Sequence, residues 1–285
     1  MLVQIIGVLA AITSSVAFST ASVFIKLSLR DIRDPFLVNG IRALFASLVY
    51  VPTLAYVGVG RLNPYIFAVI VASTVIGPGI GDVLFIMGVD KLGAGLATVL
   101  SYQYILIAQI LNIFILHDFR GFIALYLTPL SLLGMYLAVS EGGMRANLKG
   151  IIFSYAAAFA WGISTILVSY LVNTCNLPPI EVAGLRVIVL TPLLMSIGFR
   201  NIRTITKRAL VILATSGVVS YFIGFILFTT SLRMLGVMIP SLATTLTPML
   251  SQLISSKVLS EALTPRRVTG SLLIITSLIL AVLLA

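Results

Sequence analysis

The chain has 285 residues, of which 60% are hydrophobic and only 9% charged, with a mean hydropathy of +1.17. A water-soluble domain carries roughly a quarter charged residues because its surface must be solvated, so composition excludes that class and points to a helix bundle set in hydrocarbon. The formal net charge of +10 would suggest a polynucleotide partner in a soluble protein. Here the basic residues gather between apolar runs, where lipid headgroups and topology account for them. No motif that reads nucleic acid accompanies them.

A spanning helix needs roughly 20 mainly apolar residues, and ten such runs follow one another: 4–27, 35–58, 64–89, 93–116, 121–139, 150–172, 178–199, 210–232, 236–259 and 268–284. The first lacks a positively charged lead and is too long for the core of a secretory signal, so it is expected to be retained. The second opens at Pro35 and carries Arg42. The third holds Gly77-Pro78-Gly79-Ile80-Gly81 followed by Asp82, a stretch expected to break or thin the helix. The fourth is polar at mid-span, with Ser101, Tyr102, Gln103, Tyr104, Gln109 and Asn112. The sixth repeats small residues at Ala156, Ala160 and Ser164, which allows close helix contact, and holds Trp161. The seventh carries Arg186, and the ninth carries Thr244, Thr245, Thr247, Pro248, Ser251 and Gln252. Short breaks at Asp90-Lys91 and at Arg233 divide what would otherwise be spans of about 50 residues, far beyond the bilayer thickness.

Sliding the sequence on itself by 143 or 144 positions aligns like residues along nearly the whole chain. Gly7 falls on Gly150, Pro35 and Arg42 on Pro179 and Arg186, Gly81 on Gly224, Leu92-Gly93 on Leu235-Gly236, Gln109 on Gln252 and Asp118 on Glu261. Residues 1–143 and 144–285 therefore read as two repeats of five helices. Five is odd, so the second repeat enters the membrane from the opposite face. Inverted repeats of this kind supply two related conformations whose exchange opens a midplane site to either side.

The final stretch, from Phe228 through Arg233, Gly236, Pro240, Pro248, Ser260-Glu261, Thr264-Pro265 and Gly270, resembles the drug/metabolite transporter superfamily, EamA type. The first repeat matches less closely: its acidic turn reads Leu116-His117-Asp118-Phe119, and Phe18 stands where the second repeat has Trp161. The resemblance implies an all-α integral membrane protein of ten helices that carries a small metabolite, with amino acids, nucleotide sugars and drugs among the family's substrates. It also implies cytoplasmic termini. The charge distribution suggests the reverse, because most Lys and Arg lie in the links after odd-numbered helices, and the positive-inside rule then places both termini outside.

Ionisable groups inside a span are costly, by about 2.5 to 3.5 kcal/mol on insertion scales. Arg42 and Arg186 occupy matching depths, and either snorkel to the interface or face a central cavity to hold an anionic group or close a gate. Asp82 either binds a proton or cation beside a thinned helix, or neutralises Lys26 or Arg42. Gln103, Gln109, Thr244 and Gln252 sit on two repeat-related helices and would face a shared cavity, with Trp161, Tyr155 and Tyr221 adding aromatic surface. The expected site is thus Arg42, Asp82, Gln103, Gln109, Trp161, Arg186, Thr244 and Gln252.

Catalysis has little basis in the sequence: His117 sits in a turn, Cys175 is alone, and no metal-binding or phosphate-loop motif is present. The chain reads as a multi-pass protein of the cell membrane, surrounded by lipid. It needs no cofactor or metal, and moves a small solute by a solute gradient, a proton or exchange. A flippase for lipid-linked substrates is the alternative, with a membrane-embedded enzyme or a non-transporting partner protein behind it.

Overall fold

The structure is a computed structural model that describes residues 2–60, 62–92, 94–139, 147–247, 249–251, 254 and 265–284. In chain order the helices are α1 (Leu2–Ser28), α2 (Pro35–Val57), α3 (Pro64–Leu92), α4 in two pieces (Ala94–Ser101 and Tyr104–Ile115) and α5 (Arg120–Val139). Then follow α6 (Leu148–Thr174), α7 (Pro179–Arg203), α8 (Lys207–Leu235), α9 (Met238–Ala243) and α10 (Pro265–Leu284). Six of these are long and apolar enough to cross a membrane: α1, α2, α3, α6, α7 and α8. Shorter apolar stretches lie in α4, α5 and α10. The fold is an all-helical membrane bundle. Pro248, Gln252, Glu261 and Thr264 lie outside the described residues.

Local chemistry sets the helix starts. Asp34 and Asn63 accept backbone N–H bonds at the heads of α2 and α3, each just before a proline whose missing N–H is no loss at the first helical position. Asn147 and Thr206 cap α6 and α8 in the same way. Glycines at positive φ, Gly58 at 87° and Gly236 at 72°, close α2 and α8, donating back to Leu54 and Leu232.

The usual polarity of a soluble protein is reversed. Leu2, Leu9, Tyr56, Phe114 and Leu148 are exposed on the outside, while Ser14, Ser73, Ser131, Thr128 and Ser216 are fully buried. Lipid tails give no hydrophobic drive for helix association, so close packing and hydroxyl bonds hold the bundle.

The contacts repeat about a pseudo-two-fold axis. α2 packs along its counterpart α7, and α5 along α10. The N-terminal, middle and C-terminal segments of α3 all touch α6, just as those of α8 all touch α1. Single contacts mirror one another too. A Cβ at Gly150 would lie 2.5 Å from Leu92, and one at Gly7 would lie 2.7 Å from Leu235. Ser47 and Thr191, 2.7 Å apart, join α2 to α7, and Ser131 donates to Ser277 at 2.8 Å to join α5 to α10. Such interhelical bonds contribute about 0.6 kcal/mol each.

Two expectations about helix continuity are corrected. The Gly77–Gly81 stretch neither breaks nor thins α3; it stays helical and widens into a π-helical segment, Val75–Gly81. α8 does the same at the repeat-related place, Gly217–Gly224. The interruptions fall instead within α4, at Tyr102-Gln103, and directly after α9, at Thr244-Thr245.

An odd number of helices per repeat requires the two repeats to be oppositely oriented. Reporter fusions after Gly142 and at Ala285, both outside the described residues, should report opposite sides of the membrane. Matching sides would exclude the inverted arrangement.

Candidate functional site

The middle of α3 explains the centre of the molecule. Pro78 has no N–H, and with π-type bonding to the fifth preceding residue the carbonyl it leaves without a partner belongs to Ser73. That carbonyl accepts from Ser164 Oγ at 2.8 Å and from Arg186 Nη2 at 3.1 Å. Pro78's own carbonyl accepts from Asn39 Nδ2 at 2.7 Å. The irregular segment is therefore stitched to α2, α6 and α7 at mid-depth. A Cβ at Gly77 would lie 2.2 Å from Ser164 Oγ and one at Gly81 would lie 2.7 Å from Trp161, so both positions require glycine.

Arg42 and Asp82 form the polar corner. Arg42 donates through Nε to Ser216 at 3.2 Å, through Nη1 to Asn39 at 2.9 Å and through Nη2 to Ser220 at 3.0 Å. It lies 3.8 Å from Asp82 and over the Tyr221 ring at 4.3 Å. Asp82 Oδ1 accepts from Trp161 Nε1 at 2.7 Å, and Oδ2 is in short contact with the Tyr221 hydroxyl. That hydroxyl also makes a short contact with Asn39 Oδ1. Its single proton serves one of the two acceptors at a time.

Arg186 stands in the opposite corner among aromatic groups. Its Nη2 is tied to Ser73 and to Ser164 Oγ, the latter at 2.8 Å. Its guanidinium lies over the Phe225 ring at 5.4 Å, and Phe18 meets Phe225 and Phe228 edge-on at 6.0 Å each. Nε is buried with no partner among the described residues, an omission that costs about 1–3 kcal/mol for an ordinary donor and more for a charged one.

Between the corners lies a cavity of about 150 Å³, walled by α1 to α4 and α6 to α9. Of the expected site residues, Arg42, Asp82, Trp161, Arg186 and Thr244 line it. Arg42 is 3% exposed and Arg186 6%, so neither snorkels to the interface. Asp82 is paired with Arg42 and not with Lys26. Thr244 shares a 2.7 Å hydrogen bond with Tyr104, which joins the turn after α9 to the start of the second piece of α4.

Two expected residues do not reach the cavity. Gln103 sits in the break of α4, away from the lining. Gln109 is fully buried off the lining, and among the described residues neither its Oε1 nor its Nε2 has a partner. Gln252 lies outside the described residues. Tyr155, expected as aromatic lining, is 40% exposed on the outer surface, whereas Tyr221 does line the cavity. The sequence reading passed over Asn39, which links Arg42, Tyr221 and the π-helical segment. Its place three residues before Arg42, on the same helix face, was the available signal.

The model of the EamA-like transporter family matches residues 5–140 and again 148–283. A solved structure titled "Crystal structure of protein" is similar over 98% of this chain and 99% of its own, with a TM-score of 0.81 and 17% identity, a likeness of fold. No curated protein matches the sequence significantly.

The Arg42–Asp82 pair is open to a double-mutant cycle, read by thermal unfolding in detergent. Removing one partner of a buried pair typically costs about 3–5 kcal/mol because the other charge is stranded. Arg42→Gln should therefore destabilise more than Arg42→Gln combined with Asp82→Asn. Simple addition of the two single losses would mean that the pair is not coupled.

Proposed function

Because the chain belongs to the EamA-like transporter family, we propose that it is a secondary transporter that moves a small metabolite by alternating access through the central cavity. Membership of the family implies transport of small solutes, and the family is typically not enzymatic. The moving units in this reading are the repeats 1–143 and 144–285, and the substrate contacts are Arg42, Asp82, Trp161, Arg186 and Thr244.

One observation carries the reading. The cavity lies between the repeats, and equivalent residues of each face it: Phe18 and Trp161, Arg42 and Arg186, Gly77 and Ser220, Phe85 and Phe228. A site on the pseudo-two-fold axis of an inverted repeat stays in place while its surroundings exchange conformation, as alternating access requires. Among the described residues, α5 and α10 contribute nothing to the lining and pair with each other to one side.

A proton is the coupling ion in this proposal. Asp82 is the one carboxylate on the described lining. With the Tyr221 hydroxyl held between Asn39 Oδ1 and Asp82 Oδ2, a proton on Asp82 lets the carboxyl donate to Tyr221 while Tyr221 donates to Asn39. Loss of that proton forces a choice between the two contacts and strengthens the pull on Arg42. Loading and unloading Asp82 would thus alter the ties that join α3 to α2 and α8.

Purified protein in liposomes tests this, with net flux and solute-for-solute exchange measured separately. An imposed proton gradient should drive net flux in the wild type, and Asp82→Asn should abolish that dependence while exchange continues. Gradient-driven flux that persists in Asp82→Asn removes Asp82 from the coupling, and wild-type flux indifferent to the gradient removes the proton.

A further inference from the structure

The two corners of the cavity differ in one respect that bears on the substrate, given the transport reading above. The repeat places Arg186 on Arg42, Phe225 on Asp82 and Phe18 on Trp161. In the first corner Arg42 lies 3.8 Å from Asp82, which accepts from Trp161 at 2.7 Å. In the second, Arg186 lies 5.4 Å over the ring of Phe225, and Phe18 meets that ring edge-on. The arginine is kept and its acid is replaced by an aromatic ring.

The charge on the described lining then does not balance. Arg42, Asp82 and Arg186 are its charged residues, and in the unloaded state, with Asp82 ionised and paired, Arg42 and Asp82 cancel. One positive charge remains, inside a membrane. Glu181, on the same helix as Arg186, lies off the lining and makes no ion pair among the described residues. Ser73 and Ser164 are neutral and occupy Nη2, and Nε has no partner among the described residues. Asp82 already accepts from Trp161 at Oδ1 and meets Tyr221 and Arg42 at Oδ2, so its charge is engaged by groups of the protein itself.

The surrounding wall is aromatic. Phe18, Phe225 and Phe228 stand beside Arg186, and Tyr102, Tyr104 and Trp161 close the other side. A cavity of about 150 Å³ is the size at which an apolar pocket admits a single benzene-sized ring. We propose that the solute is a monoanion, its planar carboxylate-like head on Arg186 and its one-ring apolar body against Phe18, Phe225 and Phe228. A single negative charge completes the balance, and a guanidinium fork matches a carboxylate in shape as well as charge. A dianion would leave an excess negative charge, and a cation would meet an unpaired arginine.

Trp161 is the only tryptophan in the chain and lines the cavity, so its fluorescence reports occupancy without a label. The full-length protein in detergent is titrated with phenylacetate, with neutral phenylacetamide of the same shape, and with 2-phenylethylamine. Phenylacetate should bind at least about tenfold more tightly than phenylacetamide, as expected for one charge-assisted contact, and the amine should not bind measurably. Arg186→Gln should bring the ratio near one. Phe225→Asp, which returns the acid that the repeat predicts, should do the same with the arginine still present, and so serves if Arg186→Gln fails to fold. Equal affinities in the wild type, or an anion preference that survives in Phe225→Asp, would overturn the proposal. Flux in liposomes separates it from the reading it rests on: solute flux without anion preference overturns this inference alone, whereas anion binding without flux upholds the site and overturns transport.

Discussion

A guanidinium held in hydrocarbon must find its acceptors within the protein, and two of them, at matching depths in α2 and α7, organise the centre of this molecule. Regular helices have few acceptors to offer, because each carbonyl is already bonded within its own helix. The supply here comes from side chains and from one released carbonyl. Arg42 draws on Asn39, Ser216, Ser220 and Asp82, all buried or nearly so. Arg186 draws on the Ser73 carbonyl, which is free because Pro78 cannot donate to it. The proline in α3 therefore creates an acceptor for the arginine and leaves the helix continuous.

Widening a helix at mid-membrane brings its backbone close to its neighbours, and that in turn restricts side-chain size. α3 meets α6 at Gly77 and Gly81, and α8 meets α1 at Gly224, where a Cβ would lie 2.7 Å from Phe18. Trp161 occupies the room that Gly81 leaves and Phe18 that of Gly224, one against each π-helical segment. The aromatic walls of the cavity and the missing Cβ atoms behind them are thus one feature. At the repeat-related pair Gly81 and Gly224, both the glycine and the ring facing it are kept.

Much of this was legible in the sequence. Hydrocarbon imposes a length on each helix, so the apolar runs marked the helices, and the shift of 143 or 144 residues exposed the repeat before any coordinate was known. Arg42, Asp82 and Arg186 were legible because a charge in a span always needs a reason. The π-helical geometry was not, since hydropathy carries no record of which carbonyl a given N–H reaches; Gly-Pro-Gly read as a break for that reason. Polarity misled at Gln103 and Gln109, which lie on the right helix in the wrong direction. The interruption at Tyr102-Gln103 shifts the phase of the helix, so residues before and after it cannot be placed on one face by counting. The role of Asn39 was hidden for a different reason: its importance comes from Tyr221 and Pro78, which lie far away in sequence.

The same near-symmetry bears on which stage of a transport cycle the structure represents. In an inverted-repeat carrier the two open states are related by exchanging the conformations of the repeats, so each open state has one repeat interface engaged and the other parted. Here both are engaged along their whole length: α3 against α6 and α1 against α8, with Leu92 seated at Gly150 and Leu235 at Gly7. Under the alternating-access proposal, a conformation that is alike in both halves stands midway between the two open states. The departures from symmetry that remain are chemical. Asp82 corresponds to Phe225, Trp161 to Phe18 and Pro78 to Tyr221, so the backbone can pass through a symmetric midpoint while one corner keeps an arginine–aspartate pair and the other an arginine over an aromatic ring. A solute oriented by that difference would hold its orientation through the exchange, because the residues that distinguish its two ends belong to the axis and not to either gate.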